Sequence, residues 1–277
     1  MSTTKIMLET HLKEVGAFTK TIHPLIDMAV NTIAGEVPYR LKLSIALSEL
    51  ITFTSHLRKP IKLYDGTIVP CNAITFALAK SGVSKDSSMN MVRKALKPGY
   101  EIIDNYRKDL SKHKAEQAAV LDGKSITEWV GYYHKPKELQ AGLGTVEGLI
   151  QHFADLEHGE VGAGFISSSE IGTELLTNGG MTDIIKTIAI AYDLGKIPAK
   201  IIKSSENQTP SIDSLPISAL FFGSEDAILY DGSIKTKFKT IFNTQLARRS
   251  IFSFTPETMP PMEFTSVAEL TAFRSKE

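Results

Sequence analysis

The feature that most constrains this chain is an alternation that begins after Lys59-Pro60. Short apolar runs bounded by turn residues are each followed by a stretch with helical spacing. IKLYDGTIVP places Asp65-Gly66 between two apolar runs, the signal for a tight hairpin turn. Asn72 to Ala79 (NAITFALA) reads as a buried strand, and Met89 to Leu96 resumes helical spacing. Ala163 to Ser168, Ala199 to Lys203, Ile217 to Phe222 and Ser250 to Phe254 are further strand candidates. Three further helices fall among them. One is capped by Thr145, with Val146, Leu149, Ile150 and Phe153 on one side; one carries Ile184, Ile185, Ile188 and Tyr192 and is closed by Gly195; one covers Ser233 to Leu246. Strands alternating with helices imply an α/β core with a largely parallel sheet.

Around that core the pattern changes. From about Leu8 to Leu57 apolar residues recur at helical spacing, which predicts two or three packed helices before the first strand. Residues 100 to 119 are polar and Lys-rich with little apolar periodicity after Tyr106, so they read as a solvated helix or exposed arm. The chain therefore divides into a helical N-terminal segment (1–59), an α/β domain (60–255) and a proline-punctuated C-terminal tail (256–277).

Charge and composition exclude several function classes. Lys and Arg number 31 against 31 Asp and Glu, a formal charge of zero, so any nucleic-acid contact must be local or shared with other chains. Cys71 is the only cysteine, which excludes an internal disulfide and a Cys-pair zinc site and points to a reducing interior, the cytoplasm. The N-terminus lacks the apolar run of a secretory signal, and the longest apolar stretch, Met181 to Leu194, is broken by Asp183, Lys186 and Asp193. A membrane span is not expected.

Three constellations carry chemistry. The first is LAKSGVSKDSS, Leu78 to Ser88, between a strand and a helix, where a P-loop is built: a turn aims backbone N–H groups and a helix N-terminus at phosphate, Lys adds charge, and Ser or Thr reaches Mg²⁺. With Lys85 as the phosphate lysine, Ser81, Gly82, Val83 and Ser84 form the loop, Ala79 and Ser84 stand where glycines are expected, and Asp86 stands at the Mg²⁺ hydroxyl position. Ser87 one position later, or Asp86 itself, would then hold the cation. Against this, a carboxylate beside Lys85 repels phosphate and can pair with the lysine. The bland alternative is a turn with Asp86 or Ser87 as a helix N-cap.

The second is GAGFISSSEIG, residues 162–172. An apolar strand can deliver an acidic pair beside bound phosphates, one carboxylate arranging Mg²⁺ and the next polarising the attacking water. Here Ser169 stands for the first acid and Glu170 supplies the second; the alternative is a solvent-exposed strand-end glutamate. The third is Arg248-Arg249, which can stabilise charge on a transferred phosphoryl group in cis or from a neighbouring subunit, or can form surface ion pairs. The histidines are scattered: His152 and His158 do not share a helix face, and no metal cluster emerges. Cys71 reads as a small buried hydrophobe, and Trp129, Tyr132 and Tyr133 read as a helix packing face sooner than a base-stacking platform.

Taken in order, the landmarks from Val37 to Thr255 resemble a family of primase/helicase-associated P-loop ATPases found mainly in bacteriophages and mobile elements. They are a Ser-Gly-x-Gly-Lys-Ser-type loop (Ser81 to Ser87), a Thr-x-Glu-x-Leu helix (Thr145 to Leu149), a strand ending in Asp-Glu-x-Gly (Ser169 to Gly172) and a late Leu-x-Arg segment (Leu246 to Arg249). The resemblance implies a P-loop NTPase-like core, ATP and Mg²⁺ as ligands, and a ring-forming motor in phage DNA replication within the host cytoplasm. It also implies that Arg248 or Arg249 reaches a neighbour's nucleotide. Ser84, Asp86 and Ser169 depart from the pattern at the nucleotide and metal positions. Little chain follows the Arg248 strand, so a module of a larger machine is expected.

The leading expectation is a divergent ATPase or ATPase-like subunit, a homo-oligomer or part of a phage complex. In it the Ser81–Ser87 loop and Lys85 hold phosphate, Ser87 or Asp86 assists Mg²⁺, and Glu170 orients water. The runner-up is a catalytically silent scaffold with the same fold. A third reading is a single-stranded nucleic-acid-binding module using Arg107, Lys108, Lys112 and Lys114, with single-stranded DNA as a candidate partner.

Overall fold

The computed structural model describes residues 23–141, 143–157, 161–177, 180–199, 209–224, 228 and 231–255. Among the described residues two helices come first, α1 (Pro24–Thr32) and α2 (Tyr39–Ser55). The expected hairpin follows, β1 (Ile61–Lys62) paired antiparallel with β2 (Ile68–Val69). Its turn works as the sequence requires: Gly66 has φ 86°, and Asp65 Oδ1 accepts the Thr67 amide at 2.9 Å.

The core sheet is parallel throughout. Its strands are β3 (Ile74–Ala79), β4 (Gln140–Ala141), β5 (Gly164–Ser168), β6 (Ile217–Gly223) and β7 (Ser250–Thr255), in the spatial order β4-β5-β6-β3-β7. The connecting helices are α3 (Lys85–Leu121), α4 (Val146–Glu157), α5 (Ile171–Thr177), α6 (Met181–Ala191) and α7 (Gly232–Ile241). A 3₁₀ helix (Ile126–Tyr132) follows α3, and a π turn (Phe242–Leu246) with a short 3₁₀ turn (Ala247–Arg249) joins α7 to β7.

Strand periodicity of two divides the core. Phe76, Leu78, Ala219, Phe221 and Ile166 face α4, α5, α6 and α7, whereas Ala77, Ala79, Leu220, Phe222 and Phe165 face Leu41 and Ile45 of α2 and Met89, Met91 and Val92 of α3. The helices before the first strand therefore cover one face of the sheet. An α/β core with a parallel sheet and preceding helices is what the alternating pattern predicted.

Several expectations are corrected. The helix expected from Met89 begins at Lys85 and runs without a break through Pro98 to Leu121, so residues 100–119 belong to it. The helix alternative for them holds and the bare-arm alternative does not: Ile103, Arg107, Ala115 and Ala119 are buried, and the 3₁₀ helix returns along α3. α7 stops five residues before Leu246, where the backbone widens into the π turn. Cys71 is half-buried beside Thr54. Gly195 ends the α6 region at φ 68°, where a Cβ would lie 2.8 Å from the Leu215 carbonyl oxygen, so glycine is required there. Residues 1–22, 200–203, His158 and the tail after Thr255 lie outside the described residues. No helix among the described residues is long and apolar enough to cross a membrane.

Candidate phosphate-binding site

Topology first picks out a place. From β3 the chain crosses to the far edge at β4 and returns through β5 to β6, which lies next to β3; from β6 it passes over β3 to β7. The connections leaving β3 and β6 thus diverge, and the crevice at the C-terminal ends of these neighbouring strands is where ligands bind in open parallel sheets.

The loop at that point joins fully buried β3 to the first turn of α3. Gly82 (φ 83°) and Ser84 (φ 53°) are both left-handed, with Val83 between them only 1% exposed and anchored in the core. Left-handed residues are one half of the backbone pattern from which anion-binding nests are built. Ser84 thus adopts the conformation usually given to glycine, and the space a side chain would occupy at Gly82 is empty to 4 Å. Ser84 is the residue before the helix, and its side chain caps none of the first-turn amides. Its carbonyl accepts the Ser88 amide at 2.9 Å and the Ser88 hydroxyl at 2.7 Å. Neither Asp86 nor Ser87 is the N-cap; both lie in the first turn.

Lys85 is the first residue of α3. Its Nζ donates to Ala79 O at 3.0 Å and to Gly223 O at 3.2 Å, so the ammonium bridges the ends of β3 and β6. It is not locked to Asp86, which is exposed. Burial lowers the Lys85 pKa, against the opposing pull of the Glu170 and Asp86 carboxylates.

Glu170 follows β5 and is half-buried. Its Oε1 accepts the Ser224 amide at 3.0 Å and the Ser224 hydroxyl at 3.4 Å. Ser169 is exposed, and the buried Ser168 Oγ has no hydrogen-bond partner among the described residues. The fold thus brings together Ser81 to Ser87, Glu170 and a residue the sequence did not single out, Ser224. The available signal for Ser224 was its place after an apolar strand like the one preceding Glu170.

The arginines lie elsewhere. Ser250 pairs with Ile74 and Thr255 with Ala79, so Arg248 and Arg249 sit at the opposite end of β7, roughly 20 Å along the strand from the loop. Arg249 Nε donates to Asp193 Oδ1 at 2.9 Å, a second guanidinium nitrogen reaches Oδ2, and the pair holds the Asp193 carboxyl below its usual range. Arg248 is exposed.

The residues fit phosphate better than they fit Mg²⁺. The loop offers amides and one ammonium, whereas no group of three or more His, Cys, Asp or Glu side chains that could hold a metal occurs among the described residues. Asp86 is exposed and Ser87 half-buried on the first turn, a sparse set for a hard cation. No protein-family model matches the chain, and no curated protein matches it significantly.

Proposed function

We propose that this chain is a divergent P-loop NTPase-type subunit that binds the phosphates of ATP in the Ser81–Ser87 loop. The observation that carries the reading is Lys85, whose ammonium sits at the shared end of β3 and β6 behind two left-handed loop residues. Bound phosphate would take over Lys85 from the Ala79 and Gly223 carbonyls and accept the loop amides. Glu170, whose carboxylate opposes the burial that lowers the Lys85 pKa, would orient a water for attack on the terminal phosphate once it leaves Ser224. Arg248 or Arg249 would serve a nucleotide on a neighbouring copy. The landmark resemblance extends the proposal to a role in phage DNA replication.

Calorimetry tests this. ATP binding by the wild-type chain and its loss in Lys85→Ala, with thermal melting to show that the variant folds, support the reading. No binding at millimolar ATP, or unchanged binding in a folded Lys85→Ala, would overturn it. Phosphate release with and without single-stranded DNA then separates a motor from a binder.

A second reading, the catalytically silent scaffold, has one specific observation in its favour: Glu170 is committed to Ser224, and Ser169 brings no second carboxylate. It expects Glu170→Gln to leave biological function intact.

A further inference from the structure

Beyond Pro98 the helix α3 runs on to Leu121, and the chain from the 3₁₀ helix to Lys137 folds back along it. Between the two lies a cavity of about 790 Å³, within the range of small-ligand sites. Its walls carry Arg107, Lys114, Lys135 and Lys137 against one carboxylate, Asp155. In a chain of zero formal charge this is a local concentration of cations.

The cations are arranged, not scattered. Arg107 is only 6% exposed and is fixed from within, donating to Asp104 Oδ1 at 3.2 Å and to Lys137 O at 2.6 Å. Ser111 Oγ donates to His134 O, which ties the returning segment to the helix. Lys137 pairs with Asp155 at 3.4 Å, and Lys114 and Lys135 are exposed. Lys112 does not line the cavity; it lies over the Trp129 ring at 5.2 Å. Buried Ala115 and Leu156 give the cavity an apolar floor, and Tyr132 and Tyr133 give it aromatic edges.

We propose that this cavity is a second, separate site for a nucleotide, its base against the tyrosines and its phosphate against the Lys114 and Lys135 side. A planar ring carrying a phosphate matches an apolar floor, aromatic edges and a cationic rim; an acidic peptide would leave the aromatic edges unused. Two sources share that chemistry: a free mononucleotide, and one nucleotide of a single strand. The site does not depend on the phosphate loop. Arg107 lies 22 residues beyond Lys85, about 33 Å along the helix.

Trp129 is the only tryptophan, and its ring meets the Tyr133 ring edge-on at 5.4 Å, so its fluorescence reports on the cavity. The full chain, Lys85→Ala, Tyr133→Leu and the double variant Lys114→Glu/Lys135→Glu are titrated with thymidine monophosphate, read by Trp129 emission. A fluorescein-labelled oligothymidylate of about twelve nucleotides is read by anisotropy. Saturable binding is expected in the wild type and in Lys85→Ala. The charge reversal should weaken it at least about tenfold and, for the oligothymidylate, lower the salt slope by about one, and Tyr133→Leu should weaken it with the slope unchanged. Binding of the strand with no binding of the monophosphate assigns the strand as source; comparable binding of both assigns the free nucleotide. Failure of both ligands to bind at low salt would overturn the proposal. So would binding indifferent to the charge reversal, or equal competition by polyglutamate, which would mark an acidic-peptide groove.

Discussion

Glu170 Oε1 accepts the Ser224 amide at 3.0 Å, which ties the end of β5 to the end of β6 beside the Lys85 ammonium. A glutamine at 170 can still accept that amide through its side-chain oxygen but cannot take a proton from water. Glu170→Gln is therefore expected to bind ATP within about twofold of wild type and to release phosphate about 100-fold more slowly. Calorimetry and a phosphate-release assay on the same samples check this. Loss of binding as well would assign Glu170 to holding the strand ends, not to orienting water.

Ser84 holds φ 53° in the loop, a conformation that costs an L-residue roughly 1–2 kcal/mol and that β-branched residues adopt only as outliers. Ser84→Gly relieves that strain but frees the unfolded chain, so its melting temperature should stay close to that of wild type. Ser84→Val should lose about 1–2 kcal/mol in urea unfolding and weaken ATP binding with it. A fully stable Ser84→Val would mean that the loop relaxes into another conformation at no cost.

The parts of this fold that were legible are those written in local apolar pattern. Ile74 to Ala79 and Ile217 to Phe222 are short apolar runs in a sheet buried on both faces, so they read directly as strands. The first starts two residues later than expected, because Asn72 and Ala73 are diverted: Asn72 Nδ2 donates to Tyr192 O, and the Ala73 amide bonds the Ser218 hydroxyl. Residues 100–119 looked solvated because, beyond Ile103, what they bury is small or charged, Ala115, Ala119 and Arg107, and what covers them comes from later in the chain. Hydrophobic periodicity does not register such a face. Ser84 stands where a glycine was expected, and it holds the left-handed conformation at φ 53° that a glycine would take there. Ser224 needed the β5–β6 register, which no local pattern carries.

Buried Glu49 pairs with the partly exposed Arg93. Arg93 Nε lies 3.1 Å from both carboxylate oxygens, and Glu49 is only 1% exposed. Burial nevertheless raises the Glu49 pKa above its ordinary value despite the arginine. Arg93→Leu leaves an unpaired buried carboxylate and should cost about 3–5 kcal/mol at pH 7. An acid whose folded pKa is raised takes up its proton more readily folded than unfolded, so the deficit should shrink as pH falls toward 5. Adding Glu49→Leu should recover most of the loss at pH 7. Urea unfolding of the three proteins at pH 7 and pH 5 checks both statements, and a pH-independent deficit would show that Glu49 does not carry the penalty.

His56 fastens the chain entering β5. Its Nδ1 accepts the Ala163 amide at 2.9 Å, its carbonyl accepts the Gly162 amide at 2.8 Å, and the neighbouring Arg58 guanidinium donates to the Gly162, Glu157 and Leu156 carbonyls. With Nδ1 accepting, the ring is neutral and carries its proton on Nε2. Burial, then the Arg107 and Arg58 charges, pushes its pKa down from 6.5 to about 4. A histidine with a lowered folded pKa contributes stability that is complete above pH 6.5 and is lost as pH falls through about 4, because only the unfolded chain takes the proton readily in between. That drop corresponds to about 3 kcal/mol at most. His56→Phe keeps a ring but orphans the Ala163 amide, so it should be about 1–3 kcal/mol less stable than wild type at pH 7.5. Its stability should then decline less steeply in acid, narrowing the gap as pH approaches 4.5. Urea unfolding of both proteins in steps from pH 7.5 to 4.5 measures this. Parallel curves would mean that His56 protonates in the folded state as easily as in the unfolded chain, and that the clamp at β5 does not depend on a neutral ring.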